Sequence, residues 1–439
     1  RKDTSGKFFS NFIQRLARNW ATLFSGTTIS AGLGLISMII AARALDPVLF
    51  GTMIIIQTYV RLIDGALNFQ SHQSLIKFCT DAKISKKMED YAGLIRFGFV
   101  LDAATALISL FIAWSGLFIF FDLLNIDETF KTIAFAYCML IPTNLTGTPI
   151  AILRLHDKFS LTIHRDILNQ SLRVAGGLIL WLGDAEFIFF IALWFVAEAA
   201  GNALIFFFAV REMNRQELFD LKPTSIRVIP QKFSGLWAAL FSTNLTTGIR
   251  LASEEGDVLI INSLLGPPIA ASYRIAKQFA SILLRIGKPV QDAVYPDLAK
   301  LWSEGQYPRF ALTSLRVGLI TGGIASAVWI FIFIFAEIGI ALTVGAVYAS
   351  ASSVLVIIAF AHVIYLFGIT VLPTTLSMKR SGDWLITTIV STVIFFSCLP
   401  FLISQFGVVG ASYSHVIYNL SWLLLSIFLI AKNLRKIIP

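Results

Sequence analysis

Arg274, Lys277, Gln278, Ser281, Arg285 and Lys288 punctuate an otherwise apolar stretch at 267–289. Their helical spacing puts them on one face. A row of cations on a helix suits one task above others: holding phosphate or pyrophosphate through charge-assisted hydrogen bonds. The alternative is that the outermost side chains snorkel to lipid headgroups, Arg285 and Lys288 at one end, Arg274 and Lys277 at the other. A second stripe, Gln57, Arg61, Asp64 and Asn68, runs at intervals of four, three and four through 50–71. At an offset of 220, Gln57, Arg61 and Asn68 fall on Lys277, Ser281 and Lys288. Two stripes at corresponding places suggest one central cavity. A third polar group lies at 234–263: Asn244, Thr246, Thr247, Arg250, Glu254, Glu255, Gly256 and Asp257. Arg250 and Glu254 are one turn apart and can pair. Glu254 and Asp257 share a face. Glu255 points elsewhere and needs its own partner or water. Gly256 invites local unwinding. The three acids read either as a proton or sodium site, or as ion-pair partners joining this helix to the basic face that follows. The expected substrate contacts are therefore Arg61, Asn68, Arg250, Arg274, Lys277, Gln278 and Arg285, and the expected ion-coupling residues are Glu254, Glu255 and Asp257.

The elements that must position these residues are membrane helices. The chain has 439 residues, 56% hydrophobic and 14% charged, against about 25% charged in a soluble domain. Apolar runs near the ~20 residues that cross a bilayer recur from Trp20 to Ile430. Twelve spans are expected, at 19–44, 50–71, 92–120, 129–151, 161–182, 187–209, 234–263, 267–289, 312–335, 349–372, 383–403 and 408–430. An ionisable group at mid-bilayer costs at least ~2.5–3.5 kcal/mol, so the stripes should face protein or a wet cavity. Loop cations fall almost wholly on one side, with only Arg43 and Lys131 opposite. That asymmetry places both termini in the cytoplasm, and it accounts for the net charge of +9 without a nucleic-acid partner. The layout is a cytoplasmic tail (1–18), an N-lobe of six helices (19–209), a basic linker (210–233), a C-lobe of six helices (234–430) and a tail (431–439). Segment 72–91 reads as an amphipathic surface segment or a solvated linker. Pro142, Pro149 and Pro373 should kink their helices.

The halves repeat each other. Leu23-Phe24-Ser25 matches Leu240-Phe241-Ser242, and Ala44-Leu45-Asp46-Pro47 matches Leu264-Leu265-Gly266-Pro267. Such repeats mark transporters in which substrate binds between halves that rock. Asp102 and Arg173 are isolated, Glu198 and Asn202 are one turn apart, and His362 reads as a satisfied interior histidine. Cys79, Cys138 and Cys398 form neither a disulfide framework nor a metal spacing. Outer loops are short, and no nucleophile–base pair or phosphate-binding glycine loop occurs. No enzyme activity, cofactor or metal is expected.

Several motifs resemble one family. Ala42-Arg43-Ala44-Leu45-Asp46-Pro47-Val48-Leu49-Phe50-Gly51 is similar to a signature of the oligosaccharide flippases of the multidrug/oligosaccharidyl-lipid/polysaccharide exporter superfamily. Asp257-Val258-Leu259-Ile260, Leu265-Gly266 and Tyr273 resemble their helix 7–8 signature. Phe406-Gly407-Val408-Val409-Gly410-Ala411 resembles the entry to their last helix, and Leu342-Thr343-Val344-Gly345 with Tyr348 is a looser match. The resemblance covers the whole chain. It implies an all-α polytopic fold of two pseudo-symmetric six-helix lobes around a central cavity in the bacterial inner membrane. It also implies alternating access and an undecaprenyl-pyrophosphate-linked oligosaccharide as substrate, an O-antigen, capsule or exopolysaccharide unit. Membrane lipids, a proton or sodium ion and the polysaccharide polymerase machinery would be its partners. Asp46 stands where that family carries Gly, and Glu254-Glu255 matches none of its motifs. A multidrug exporter of the same superfamily is the alternative, but it would need an acidic or aromatic cavity. A polymerase or ligase would need a sizeable outer loop.

Overall fold

A computed structural model describes residues 26, 28–69, 71–219 and 221–435. The expected tail at 1–18, the repeat residues Leu23, Phe24 and Ser25, and the last four residues lie outside them. The described residues are helical, with no strand among them. Seven helical runs are long and apolar enough to cross a membrane. One of them, α15 (Ser381–Leu434), bends at Gly407 and so makes two crossings. Four further helices bring the number to the expected twelve. Thr28–Ala44, α1, is apolar but shorter. The other three, α7 (Phe159–Leu182), α10 (Leu236–Leu265) and α11 (Pro267–Ser303), are long enough but carry polar stripes that lower their hydropathy. Three of the helices least legible as membrane spans, α7, α10 and α11, are thus among those that carry polar stripes.

The chain forms two compact units, up to Gly256 and from Asp257. In the first, α2 (Pro47–Leu67) begins with Pro at the first helical position. Asp46 caps it, its carboxylate accepting from the backbone N–H groups of Val48 and Leu49 at 2.8 and 3.0 Å. This is a sound start for a helix, and it explains the Asp where a glycine was expected. In the second unit α11 also starts at Pro, 220 residues later, after Gly266 at φ 84°. The two starts agree with the internal repeat.

Segment 72–91 is not a solvated linker. Residues His72–Ile84 form α3, and Leu75, Phe78 and Cys79 are buried against α4 (Met88–Phe120) and α6 (Gly147–Leu155). The stretch after α8 (Phe187–Arg215) is likewise packed. Asp90 accepts from Lys232 Nζ and Thr224 Oγ1, both at 2.6 Å. Ile229, in the one-turn helix α9 (Ile229–Lys232), is fully buried with Tyr91 and Leu94. In the loop after α6, burial and then Lys83 hold His156 below the usual imidazole range. Its Nε2 lies 2.9 Å from Tyr91 Oη.

The proline breaks fall close to where they were expected. Residues 128–155 are a chain of short pieces: a 3₁₀ turn, α5 (Lys131–Tyr137), a 3₁₀ stretch containing Pro142, and α6 with Pro149 in its first turn. Helix α13 (Ala351–Phe367) stops just before α14 (Val371–Ser377), whose first turn holds Pro373. Helix α12 (Tyr307–Thr343) is unbroken. Local unwinding at Gly256 does not occur, and α10 runs straight through it. Its neighbours have partners that hold the helix together.

The last crossing depends on two glycines. Gly407 adopts φ 60°, ψ −143°, a region essentially restricted to glycine. A Cβ on Gly410 would collide with the backbone O of Leu402. Replacing Gly410 by Ala should lower the melting temperature of the detergent-purified protein by several degrees, since overpacking costs about 1–3 kcal/mol. The control is Gly339→Ala, where an added Cβ meets nothing within 4 Å and no loss is expected. Differential scanning fluorimetry of both variants checks this.

Candidate functional site

In the second unit, Asp257 on α10 faces Tyr273 and Lys277 on α11. Its side chain is fully buried. Lys277 Nζ and Tyr273 Oη donate to Oδ2, both at 2.6 Å, and His415 Nε2 lies 3.0 Å from the same oxygen. Tyr273 Oη is also 2.6 Å from His415 Nε2. The Asp and Tyr of the helix 7–8 motif are thus hydrogen-bonded partners. An ion pair does join the two helices, one of the two readings open at the outset. His415, on α15, gave no signal in the sequence.

The basic stripe on α11 keeps a face of its own. Arg274, Lys277, Gln278 and Ser281 are half-buried and Arg285 and Lys288 exposed, while Ala271, Ile275, Ala276 and Ala280 are buried. His362 is an interior histidine, with Nδ1 3.0 Å from the carbonyl oxygen of Ala280.

In the first unit, Arg61 on α2 pairs with Glu255 on α10 at 3.0 Å. Glu255 therefore has the separate partner its position demanded. Arg250 and Glu254 pair at 3.7 Å along α10. Close approach of the two helices is made possible by glycine. A Cβ on Gly65 would collide with the Leu251 side chain, and one on Gly248 would touch the Ala66 backbone. Arg250 borders a pocket of about 450 Å³ whose other walls are Gln73, Ser242, Thr243, Thr246 and Thr247. No acid lines it. Thr246 and Thr247 donate their hydroxyl protons to the carbonyls one turn back, at 2.8 and 3.0 Å. Their oxygens are left as acceptors. The pocket therefore offers one cation, paired with Glu254, and several hydroxyl acceptors.

Two clusters were not assembled from the sequence. Glu198 on α8 accepts from Arg165 at 3.1 Å, Arg173 at 2.7 Å and Asn169 at 2.6 Å, all on α7. Asn202 accepts from Arg165 at 3.1 Å and donates to Thr143 at 3.2 Å. The spacing of Arg165, Asn169 and Arg173, four and four, could have revealed that stripe. Asp64 and Asn68 join Asn144, which has no neighbour in sequence to announce it. Asn68 Nδ2 donates to Asp64 Oδ1 at 3.0 Å and to the backbone O of Asn144 at 3.1 Å, and Asn144 Nδ2 donates to Asp64 Oδ2. Asp102 likewise has partners, accepting from Ser71 Oγ and the backbone N–H of Thr148, both at 2.7 Å. Among the described residues, no group of three or more His, Cys, Asp or Glu could hold a metal ion.

Polar stripes along many crossing helices define a multi-pass membrane protein. Solved structures share its fold. A lipid II flippase, MurJ, in an inward closed conformation superposes with a TM-score of 0.74 at 15% identity, over 94% of this chain and 89% of that one. An inward-facing multidrug resistance MATE-family transporter of the MOP superfamily gives 0.73 at 14% identity, over 93% and 95%. The inner membrane protein YghQ of Escherichia coli K12 is 26% identical over 344 residues, 78% of this chain and 96% of that protein. The polysaccharide biosynthesis protein family model matches residues 16–302, and the chain belongs to that family.

Proposed function

We propose that the protein flips undecaprenyl-pyrophosphate-linked oligosaccharide across the bacterial inner membrane by alternating access, with both termini in the cytoplasm. One observation carries the reading. Each of the three expected coupling acids sits on one of the expected substrate cations: Glu255 on Arg61, Glu254 on Arg250 and Asp257 on Lys277. A pyrophosphate and a carboxylate compete for the same guanidinium or ammonium. Neutralising the acid with a proton or sodium ion releases the cation for substrate, and substrate release returns it to the acid. Arg274, Gln278 and Arg285 extend the basic face, and Asn68 adds an amide donor. The pocket beside Arg250 suits the first sugars. The prenyl tail stays among membrane lipids, and the polymerase machinery receives the product. A multidrug exporter shares the fold, but cationic drugs call for an acidic or aromatic lining, which the pocket beside Arg250 lacks.

The test is precursor accumulation in a deletion strain, read by mass spectrometry of extracted lipid-linked oligosaccharide. Intact precursor should build up without the protein, and the wild type should clear it. The variant carrying Arg250→Ala and Arg274→Ala should clear it about tenfold more slowly or worse at equal expression, since a hydrogen bond to a charged group is worth about 1.5–3 kcal/mol. Unchanged precursor with increased drug sensitivity would replace this reading with the exporter.

A further inference from the structure

A groove in the first unit takes no part in the ion pairs of the candidate site. Helix α4 outruns its neighbour there. It is 33 residues long, whereas α5 gives way to a 3₁₀ stretch after 7. Between them lies a recess of about 360 Å³ lined by Trp114, Ser115, Phe118 and Ile119 on α4 and Phe135 on α5. Trp114 Nε1 donates to the Phe135 carbonyl at 3.0 Å. A tryptophan at a membrane interface ordinarily turns its N–H to the wet side. Here the N–H is committed to protein, and the recess is walled mainly by rings and alkyl groups. A polar rim closes one end. Lys131, one turn before Phe135, holds its Nζ 5.2 Å from the centre of the Phe121 ring, so the groove runs from Trp114 toward Lys131. Lys131 bonds to Glu128 at 3.5 Å. Within 111–140, Lys131 is the single cation, and the acids are Asp122, Asp127 and Glu128. All three acids are exposed. Asp184 and Glu186 add exposed acids nearby, since the Phe187 ring meets Phe130 with centroids 5.0 Å apart.

We propose that this groove and its rim bind a single phosphatidylethanolamine molecule. Lipid tails are as apolar as the groove, so the groove fixes where a tail lies and contributes little affinity. The headgroup must supply the affinity. Its phosphate is an acceptor for the Lys131 ammonium, and its primary ammonium is a donor to Glu128 and Asp122, each bond charge-assisted. A purely anionic headgroup, or a prenyl pyrophosphate, would meet one cation among several carboxylates and be repelled. A quaternary ammonium, as in phosphatidylcholine, has no proton to donate to a carboxylate. The rim thus selects for a headgroup that carries a phosphate and a primary amine together. The inference goes beyond the flipping reading and does not rest on it.

The experiment is native mass spectrometry of the detergent-purified, delipidated protein. It is incubated with palmitoyl-oleoyl phosphatidylethanolamine, phosphatidylglycerol or phosphatidylcholine, one at a time. Wild type should hold a single phosphatidylethanolamine about tenfold more tightly than either other lipid, the scale of one bond to a charged group. Lys131→Ala should lose that preference. Glu128→Lys turns an acid of the rim into a second cation and should shift the preference toward phosphatidylglycerol. Ser115→Trp fills the groove and should abolish retention with the rim intact. None of the three side chains is buried, and Glu128→Lys keeps the test sound if Ser115→Trp fails to fold. No retained lipid in the wild type, or phosphatidylglycerol held as tightly as phosphatidylethanolamine, overturns the site. Phosphatidylethanolamine retention that survives Lys131→Ala or Ser115→Trp also overturns it. Failure here leaves precursor accumulation untouched, and failure of precursor accumulation leaves lipid retention untouched.

Discussion

Replacing Asp257 by Ala is expected to cost about 3–5 kcal/mol, the usual penalty for removing one partner of a buried ion pair. Asp257 is fully buried and Lys277 is 17% exposed. Without the carboxylate, the Lys277 ammonium stays in a low-dielectric site, and Tyr273 and His415 lose a shared acceptor. Each buried donor left unmatched adds about 1–3 kcal/mol. Lys277→Met should be similarly harmful, because it leaves the carboxylate with only the tyrosine and the imidazole. The double variant, Asp257→Ala with Lys277→Met, should recover much of the loss, since no uncompensated charge remains. Thermal unfolding of the four proteins in one detergent gives the coupling energy directly. Single losses near 1 kcal/mol that simply add would show that water, not Lys277, compensates Asp257. That result would also remove the competition between acid and pyrophosphate on which the flipping cycle rests.

Much of this arrangement can be read in the sequence, and the part that cannot has a physical cause. Apolar runs and prolines locate the crossings, because bilayer thickness and the missing proline N–H act locally. Period 3.6 orders residues on one helix, so the stripes of α2 and α11 and the Arg250–Glu254 pair are legible. Which stripe meets which is a matter of helix packing, and spacing along one helix carries no information about it. Glu255 visibly needs a partner, but nothing in its own helix names Arg61. His415 and Asn144 lie far along the chain from the acids they serve, and the polar residues beside them, Ser414 and Thr143, carry no charge that would single them out. Gly256 misleads because glycine permits unwinding without requiring it, and the flanking ion pairs keep α10 regular.

At the Glu198 cluster, the charge left uncompensated should set the order of severity. Glu198→Gln removes the single negative charge that holds Arg165 and Arg173 together. Two guanidiniums then face each other in a site where Arg173 is only 9% exposed, and the loss should reach about 3–5 kcal/mol. Arg173→Leu breaks the shorter of the two bonds that cations make to the carboxylate, at 2.7 Å. Yet it leaves Glu198 paired with Arg165 and bonded to Asn169. It also forfeits the contact of the Arg173 guanidinium with the Trp194 ring at 5.6 Å, worth about 0.5–2 kcal/mol. Its net cost should therefore be below about 2 kcal/mol, because a buried charge is removed together with its bond. Melting temperatures of the two variants in the same detergent decide the order. Equal and severe losses would mean that Arg173, not Glu198, organises the cluster. Precursor clearance then separates scaffold from gate. An Arg173→Leu protein that melts near wild type and still clears precursor at the wild-type rate makes the cluster a brace between α7 and α8. One that melts normally but clears slowly makes the second guanidinium part of the moving machinery, because only a role in the cycle would be lost without a loss of stability.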